Sequence, residues 1–331
     1  MTETLSPSLR IHESIRRDDV DNPSAFLATN AGNSVFTAPG RDGVVVYRTA
    51  GRWLVQFGGV FAAPPDQTPI LRAFREFAAA RQRRVVAVQL QPADAERYAA
   101  QGWTVNQIGG SYAVDLSTFS LAGTRFMRLR NKISRAHRSG LTVHEVDAAE
   151  WYDRMRALDR DWLQSKGEHA TELEFLVGQY GGEMQPLRRL FVGLIDGELA
   201  GYISYSPVYG SRPGWMHDLS RRRPDETPGL MEAINRVAID RFTAEGVRWL
   251  HFGFTPFTAL DEALELPGHS PAFRTLMNLL WQYGEAVYPA RTQLDYKMKW
   301  APDVVLPEYI AFDGPASVTG FAHVFRACAA F

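Results

Sequence analysis

One arrangement of elements occurs twice in this chain of 331 residues, and it restricts the fold more than any composition value does. In the first half, Gly43-Val-Val-Val-Tyr-Arg, a turn at Thr49-Ala-Gly-Arg, and Trp53-Leu-Val-Gln-Phe-Gly read as a β-hairpin. A proline-rich loop follows, then a helix with Thr68 as cap and Pro69 as first residue. Ile70, Leu71, Phe74, Phe77 and Ala78 lie at helical spacing on its core face, and Arg83 to Leu90 is the next strand. In the second half, Arg189 to Ile195, the turn Asp196-Gly-Glu and Leu199 to Tyr205 form the hairpin. Pro213 to Leu219 is a further strand, a proline-bearing loop enters a helix carrying Leu230, Ile234, Val237, Ala238 and Phe242, and Val247 to Phe254 is the strand after it. A duplicated α/β unit accounts for this order better than one large sheet.

The remaining pieces fit around that repeat. Residues 1–21 read as a loose polar arm, and Asn22 or Ser24 caps a helix that buries Phe26 and Leu27. A helix from Ala93 to Ala100 and a strand from Ser111 to Leu116 close the first unit. The expected domains are therefore 22–120 and 121–331, the second beginning with a basic inter-domain helix. Each mixed-sheet unit is similar to the N-acetyltransferase fold, so the fold class is α/β with two tandem acetyltransferase-like (GNAT) domains. That fold holds coenzyme A on a glycine-rich loop at a helix start. Here the corresponding loops read Ala62-Ala-Pro-Pro-Asp-Gln and Arg221-Arg-Arg-Pro-Asp-Glu, which argues against acetyl-CoA.

Composition excludes several classes. No run approaches the ~20 apolar residues of a spanning helix, and the N-terminus lacks the apolar core of a signal peptide. A cytoplasmic location is expected, with peripheral contact at the inner face of the membrane as an option. The single cysteine, Cys328, excludes an internal disulfide and a thiolate zinc cluster, and no histidine pair has metal-ligand spacing, so neither metal nor cofactor is expected. A net charge of −1 gives no overall attraction to nucleic acid, and DNA is not an expected partner. One local patch stands apart: Arg125, Arg128, Arg130, Lys132, Arg135, His137 and Arg138, on a segment of helical composition ending at Gly140. It reads either as a charged inter-domain helix or as a binder of phosphate backbone, and cations spread around the helix favour the binder.

The stretch from Trp215 to Glu232 reads as a strand that breaks at three arginines, turns through Pro224 and Pro228, and re-forms as a helix at Gly229. Arginine forks beside open helical N–H groups make a place to hold an anion. Later, Lys297 and Lys299 flank Met298, which on a strand would put both ammonium groups on one side with an anion between them.

Four segments in order resemble the soluble C-terminal catalytic domain of bacterial phosphatidylglycerol lysyl- and alanyltransferases. They are Asn22-Pro-Ser-Ala-Phe-Leu-Ala; Phe119-Ser-Leu-Ala-Gly followed by the arginine-rich helix; Asp218-Leu-Ser-Arg221 with Pro224 and Gly229-Leu-Met-Glu232; and Gly284-Glu285-x-x-Tyr288 with Tyr296-Lys297-Met-Lys299-Trp-x-Pro302. The resemblance implies an aminoacyl-tRNA donor, whose aminoacyl group passes to a hydroxyl or amine of a lipid head group or a small-molecule acceptor.

An aminoacyl ester is already activated, so the protein has mainly to align the acceptor, take its proton and stabilise the oxyanion. On that reading Asp218 anchors the donor's α-ammonium, Arg221 binds a phosphate, Glu232 orients one of them, and Glu285 is an acid/base or ammonium anchor. Lys297, Lys299, Tyr288, His217 and Phe254 bind substrate. Arg125, Arg128, Arg130, Lys132, Arg135 and Arg138 hold the tRNA. His217 and His251, inside apolar strands, read more readily as core histidines than as catalytic bases, and the helix Pro271 to Tyr283 more readily as core than as a lipid contact. The sequence departs from the family at Phe252-Gly-Phe-Thr-Pro-Phe-Thr-Ala and at Tyr288-Pro-Ala-Arg-Thr-Gln-Leu294, both beside the expected acyl or acceptor position. The alternatives are an acyl-CoA-dependent N-acyltransferase and a non-catalytic tRNA- or lipid-binding module.

Overall fold

The computed structural model describes residues 5–166, 172–224, 228–286 and 288–330. The chain opens on a helix, α1 (Pro7–Arg17), where a loose arm was expected. Ser6 caps it by accepting from the Leu9 N–H at 3.2 Å, Pro7 occupies a first-turn position that needs no donor, and Ile11 and Ile15, one helical turn apart, are buried. The next segment is a 3₁₀ turn over Ala25–Thr29 in place of the expected α-helix. Asn22 Oδ1 accepts from the Ser24 N–H at 2.9 Å and starts it, and Phe26 and Leu27 are buried.

Strand β1 (Ser34–Phe36) precedes the hairpin β2 (Val44–Ala50) and β3 (Trp53–Phe61). Helix α2 (Pro64–Ala80) starts at Pro64 rather than Pro69. Pro64 and Asp66 suit a first turn, whereas Pro69 lies inside the helix and forgoes the bond back to Pro65. Then come β4 (Arg84–Leu90), α3 (Pro92–Ala100) and β5 (Thr104–Asp115).

The second half runs α4 (Met127–Arg138), β6 (Thr142–Val146), α5 (Tyr152–Gln164), β7 (Arg189–Ile195), β8 (Glu198–Val208), β9 (Gly214–Arg222), α6 (Leu230–Ala244), β10 (Trp249–Pro256), α7 (Pro271–Tyr283), α8 (Ala290–Met298), β11 (Val304–Phe312) and α9 (Val318–Ala327). The β7–β8 turn has positive φ at both Asp196 and Gly197, the backbone that an Asp-Gly two-residue hairpin requires.

The expected repeat is present, but in one sheet rather than two. Its eleven strands run β1-β2-β3-β4-β11-β5-β10-β9-β8-β7-β6. Each half contains a strand, a helix and a parallel strand: β3–α2–β4 and β9–α6–β10. The last strand, β11, returns across the molecule and lies antiparallel between β4 and β5, while β5 pairs on its other edge with β10. A boundary near residue 120 therefore cuts the chain but not the sheet.

Strand β3 is buried along its whole length because both faces are covered. Leu54 faces the cluster of Ile70, Leu71 and Phe74 from α2, and Val55 faces the opposite cluster with Phe57, Phe312 and Phe321. Each such side chain contributes about 1.5–3 kcal/mol by leaving water. In the second half, Leu230, Ile234, Ala238 and Phe242 of α6 pack on the sheet with Leu129, Ile133 and Ala136 of α4. Helix α4 is thus amphipathic, and its cations are not spread all round it. Arg125, Arg128, Lys132, Arg135 and Arg138 are exposed around the outer side, opposite that buried stripe.

Candidate functional site

The parallel ladder between β9 and β10 covers only Gly214–Met216 and Trp249–His251. Beyond it the strands splay, because both are bulged at that point. In β10, Gly253 has φ +66 and the register with β5 shifts between His251 and Phe254. In β9, His217 pairs with Tyr205 and Leu219 with Ser204, so Asp218 is the extra residue of a bulge. The gap opens into a cavity of about 430 Å³, walled by β9, β10, α8 and the segment 173–177, with Ser24, Leu27 and Gln89 contributed by the first half. Strand β9 continues through Arg221 and Arg222 instead of breaking at them.

The equivalent gap in the first half is closed. Past the β3–β4 ladder, Asn22 Nδ2 donates to the Gln89 carbonyl at 2.9 Å, and Gln56 Nε2 donates to the Gly59 carbonyl at 3.0 Å. The carboxyl of Asp94 lies against Gly59, where a Cβ would come within 2.4 Å of it. One half is filled by its own side chains; the other is open.

Asp218, Arg221, His217, Tyr288, Phe254 and Lys297 all line the open cavity. Asp218 does so with its side chain fully buried and with neither carboxylate oxygen hydrogen-bonded among the described residues. Gly178 covers it: the Gly178 N–H donates to the Asp218 carbonyl at 3.3 Å, and a Cβ on Gly178 would stand 1.9 Å from Asp218 Oδ1. The carboxylate faces the buried Arg188, with Nε 3.6 Å from Oδ2. Burial pushes the Asp218 carboxyl up to about 6, against the pull of Arg188. Arg188 also donates to Asn30 Oδ1 at 2.9 Å and lies over the Phe26 ring, so it ties the bulge to the first half.

Lys297 comes from α8, not from a strand. Its Nζ donates to the carbonyls of Gly253 and Phe254 at 2.7 and 3.0 Å, across the β10 bulge. Burial lowers its ammonium to about 7, and Glu308 opposes the shift. Glu308, on β11, is fully buried, accepts from Ser111 Oγ, and is itself raised to about 7 by burial. On a helix Lys299 leaves the Lys297 face, and its Nζ donates to Glu232 Oε1 at 3.0 Å, with Lys132 at 3.8 Å. Glu232 and Lys299 therefore form an ion pair between α6 and the end of α8, away from the cavity wall.

His217 packs edge-on against Tyr205 and Tyr296, and its Nδ1 has no partner among the described residues. Burial first, and Lys297 second, lower its pKa to about 3, so the ring is neutral. His251 is a core residue whose Nε2 meets the Arg212 carbonyl at 2.9 Å. Arg221 lies over the Trp162 ring at 4.2 Å, with Nη2 3.9 Å from Glu172. Tyr288 donates to Gln293 Oε1 at 2.9 Å. Glu285 is exposed outside the cavity and accepts from the Arg291 N–H at 3.3 Å, at the start of α8. Arg130 is turned inward to the carbonyls of Leu121 and Gly123, which removes it from the outer cationic row.

Sequence reasoning missed Arg188, Gly178, Trp162 and Glu308. Only Glu308 left a signal, as a lone acid within the apolar run Val304-Val-Leu-Pro-Glu-Tyr-Ile. Asp225 and Glu226, of the loop quoted above, lie outside the described residues.

Two strand–helix–strand halves on one sheet, with a cavity where one pair of parallel strands splays, define a tandem protein of the acetyltransferase fold. The chain belongs to the family described as phosphatidylglycerol lysyltransferase, C-terminal, whose sequence profile matches residues 12–312. It is 23% identical over 304 residues to the lysylphosphatidylglycerol biosynthesis bifunctional protein LysX of Rhodococcus opacus, covering 88% of this chain and 26% of that one. It is 25% identical over 262 residues to the phosphatidylglycerol lysyltransferase of Bacillus subtilis, covering 74% of this chain and 30% of that one. The solved structure of L-PGS from Bacillus licheniformis superimposes with a TM-score of 0.78 at 19% identity, over 99% of this chain and 97% of that one. The chain thus spans under a third of those two curated relatives. Among its described residues no helix is long and apolar enough to cross a membrane.

Proposed function

We propose that this chain is an aminoacyltransferase that moves an aminoacyl group from the 3′ end of an aminoacyl-tRNA to a hydroxyl of a phosphatidylglycerol-like head group. The observation that carries the reading is the cavity between β9 and β10, where Arg221, His217, Tyr288 and the buried Lys297 meet. The relatives' names supply the reaction class.

In the proposed reaction the acceptor oxygen attacks the ester carbonyl, an O–C bond forms, and the tetrahedral intermediate expels the ribose oxygen of the tRNA. The acceptor's proton ends on that ribose oxygen. Two N–H groups of Lys297 are held by the Gly253 and Phe254 carbonyls, which aims the ammonium for donation to the oxyanion. Neutral His217, packed on Tyr205 and Tyr296, shapes the wall beside Lys297. Arg221, fixed on Trp162, suits a phosphate of either substrate. Asp218, on the cavity wall, faces Arg188 and so holds the bulge to the first half.

For the tRNA, the outer face of α4 and the turn before it are the supporting surface: Arg125 of that turn and Arg128, Lys132, Arg135 and Arg138 of α4 are exposed, and the Lys132 main chain touches Gly229 at the start of α6. That continuity leads from a cationic face to the open N–H groups of a helix N-terminus. The test is incubation of the purified chain with tRNA carrying labelled amino acids and with phosphatidylglycerol vesicles, followed by lipid extraction. Labelled lipid is expected. Label that only hydrolyses at the rate seen without protein, with no product in a cell extract either, refutes the reading.

A further inference from the structure

The hydrogen bonds that place Lys297 do not depend on its charge. The carbonyls of Gly253 and Phe254 accept from its Nζ at 2.7 and 3.0 Å, and a neutral amine has two N–H groups to give them. In that state the nitrogen would turn a lone pair, not a donor, toward the cavity. Only the ammonium has a third N–H, so the protonation state decides whether Lys297 can meet an oxyanion.

Of the groups that face Lys297, those of one strand supply its counter-charge. Burial lowers the ammonium. From β5, the Tyr112 ring lies 5.5 Å from Nζ, and its hydroxyl donates to Thr258. From β9, His217 is neutral, Asp218 faces Arg188, and Arg221 and Arg222 bring positive charge to the cavity wall. The opposing charge comes from β11, where Glu308 is fully buried. Phe254, whose carbonyl holds Lys297, is paired with Ser111 across β10 and β5, and Ser111 Oγ donates to Glu308 Oε1. That ladder brings the acid to the lysine through the interior, where charge is weakly screened. Glu308 Oε2 has no hydrogen-bond partner among the described residues. Ser111 alone does not call for an acid, since a glutamine oxygen would accept the same bond without the cost of a buried charge. The cation that acts on Glu308 is Lys297.

We infer that Glu308 is a positioning residue for the transfer reaction: its carboxylate holds Lys297 in the ammonium form and so keeps an N–H available for the oxyanion. Glu308 itself does not touch substrate. Its part in transfer rests on the aminoacyl-transfer reading; the charge coupling does not.

The experiment follows Lys297 directly. The chain has four lysines, Lys132, Lys166, Lys297 and Lys299, so the 13Cε resonances of lysine-labelled protein can be assigned by replacing each in turn and then followed against pH. In wild type Lys297 should lose its proton near pH 7. In Glu308→Gln, which keeps an acceptor for Ser111, its midpoint should fall by about one unit. Transfer from aminoacyl-tRNA to phosphatidylglycerol vesicles should then drop about tenfold at pH 8 but only about twofold at pH 6, with the donor KM unchanged. Glu308→Asp, which keeps the charge, should hold the midpoint within about half a unit of wild type. If Glu308→Gln does not stay folded, Lys297→Met tests the same coupling from the other side: carboxyl infrared bands should show one buried acid protonated to a higher pH than in wild type. An unshifted Lys297 in Glu308→Gln, or an unshifted acid in Lys297→Met, overturns the inference whatever transfer does. A shifted Lys297 with no transfer to any acceptor overturns the aminoacyl-transfer reading, and the role in transfer with it, but leaves the charge coupling in place.

Discussion

Arg188→Met is the substitution whose outcome depends most directly on the buried pair behind the cavity. Arg188 and Asp218 have side chains 1% and 0% exposed, and their facing atoms are 3.6 Å apart. Removing the cation leaves a carboxylate in the interior with no counter-charge, which costs about 3–5 kcal/mol when the carboxylate is ionised. The Asp218 carboxyl titrates near 6 in the folded chain against an ordinary 3.8. Because the folded value is the higher one, the folded chain takes up a proton between those limits while the unfolded chain does not. Stability from this group therefore rises as pH falls through 6, and its burial cost of about 3 kcal/mol is felt in full above pH 7. At pH 8 the variant should lose the whole ~3–5 kcal/mol. At pH 5, where the wild-type carboxyl is already mostly protonated, the loss should shrink to the ~1–2 kcal/mol of one hydrogen bond and some packing. The double variant Asp218→Asn with Arg188→Met replaces both charges and should recover most of the loss seen at pH 8. Urea unfolding midpoints and slopes at the two pH values measure all of this. An equal penalty at both, or a double variant that is merely the sum of the singles, would show that the pair is not coupled and that the bulge is held by other contacts.

Two further outcomes test the front of the site and its approach. The Lys297 ammonium sits near 7, lowered by burial, so its charged form is lost as pH rises through 7; transfer corrected for spontaneous ester hydrolysis should fall between about pH 6 and about pH 8.5. Lys297→Met should be slow and flat across that range, and a retained slope would assign the titration to another group. Replacing Arg128, Arg135 and Arg138 of α4 by glutamine should weaken tRNA binding and reduce the slope of log affinity against log salt by about 0.7–0.9 for each phosphate no longer neutralised. An unchanged slope would move the RNA to another face, with α4 left as a solvated helix.

Periodicity carried the hairpins, α6 and α7, because their apolar spacing is long and regular. It failed where the signal was short or shared. Leu9, Ile11 and Ile15 are scattered apolar positions in a charged segment, too few to announce α1 before Ser6 and Pro7 are seen to start it. The alternation Lys297-Met-Lys299 fits a strand as readily as a helix end, and the segment is the end of the helix Ala290–Met298, with Lys299 as its cap. Asp218 and Arg221 were legible as cavity residues, yet the direction of the Asp218 carboxylate was not. It is set by Gly178, distant in sequence and carrying no side chain to mark it. Arg188 was hidden for the same reason, since its partners Asn30, Phe26 and Asp218 come from three separate segments.

The same long-range pairing explains why a duplicated chain has one open cleft. The splay of β9 from β10 is held by side chains that the duplication alone does not supply. Lys297 from α8 grips the β10 bulge, and Glu308 on β11 balances Lys297 from the strand placed between β4 and β5. In the first half the corresponding gap receives Asn22 and Asp94, which satisfy its free carbonyl and fill its space. That half then acts through what it lends: Ser24, Leu27 and Gln89 to the cavity wall, and β5 as the strand on which both β10 and β11 are laid. Separating the chain near residue 120 would take β5 from both β11 and β10 and β11 from β4, leaving unpaired strand edges on both pieces, so the half that holds the cavity is not expected to keep it alone.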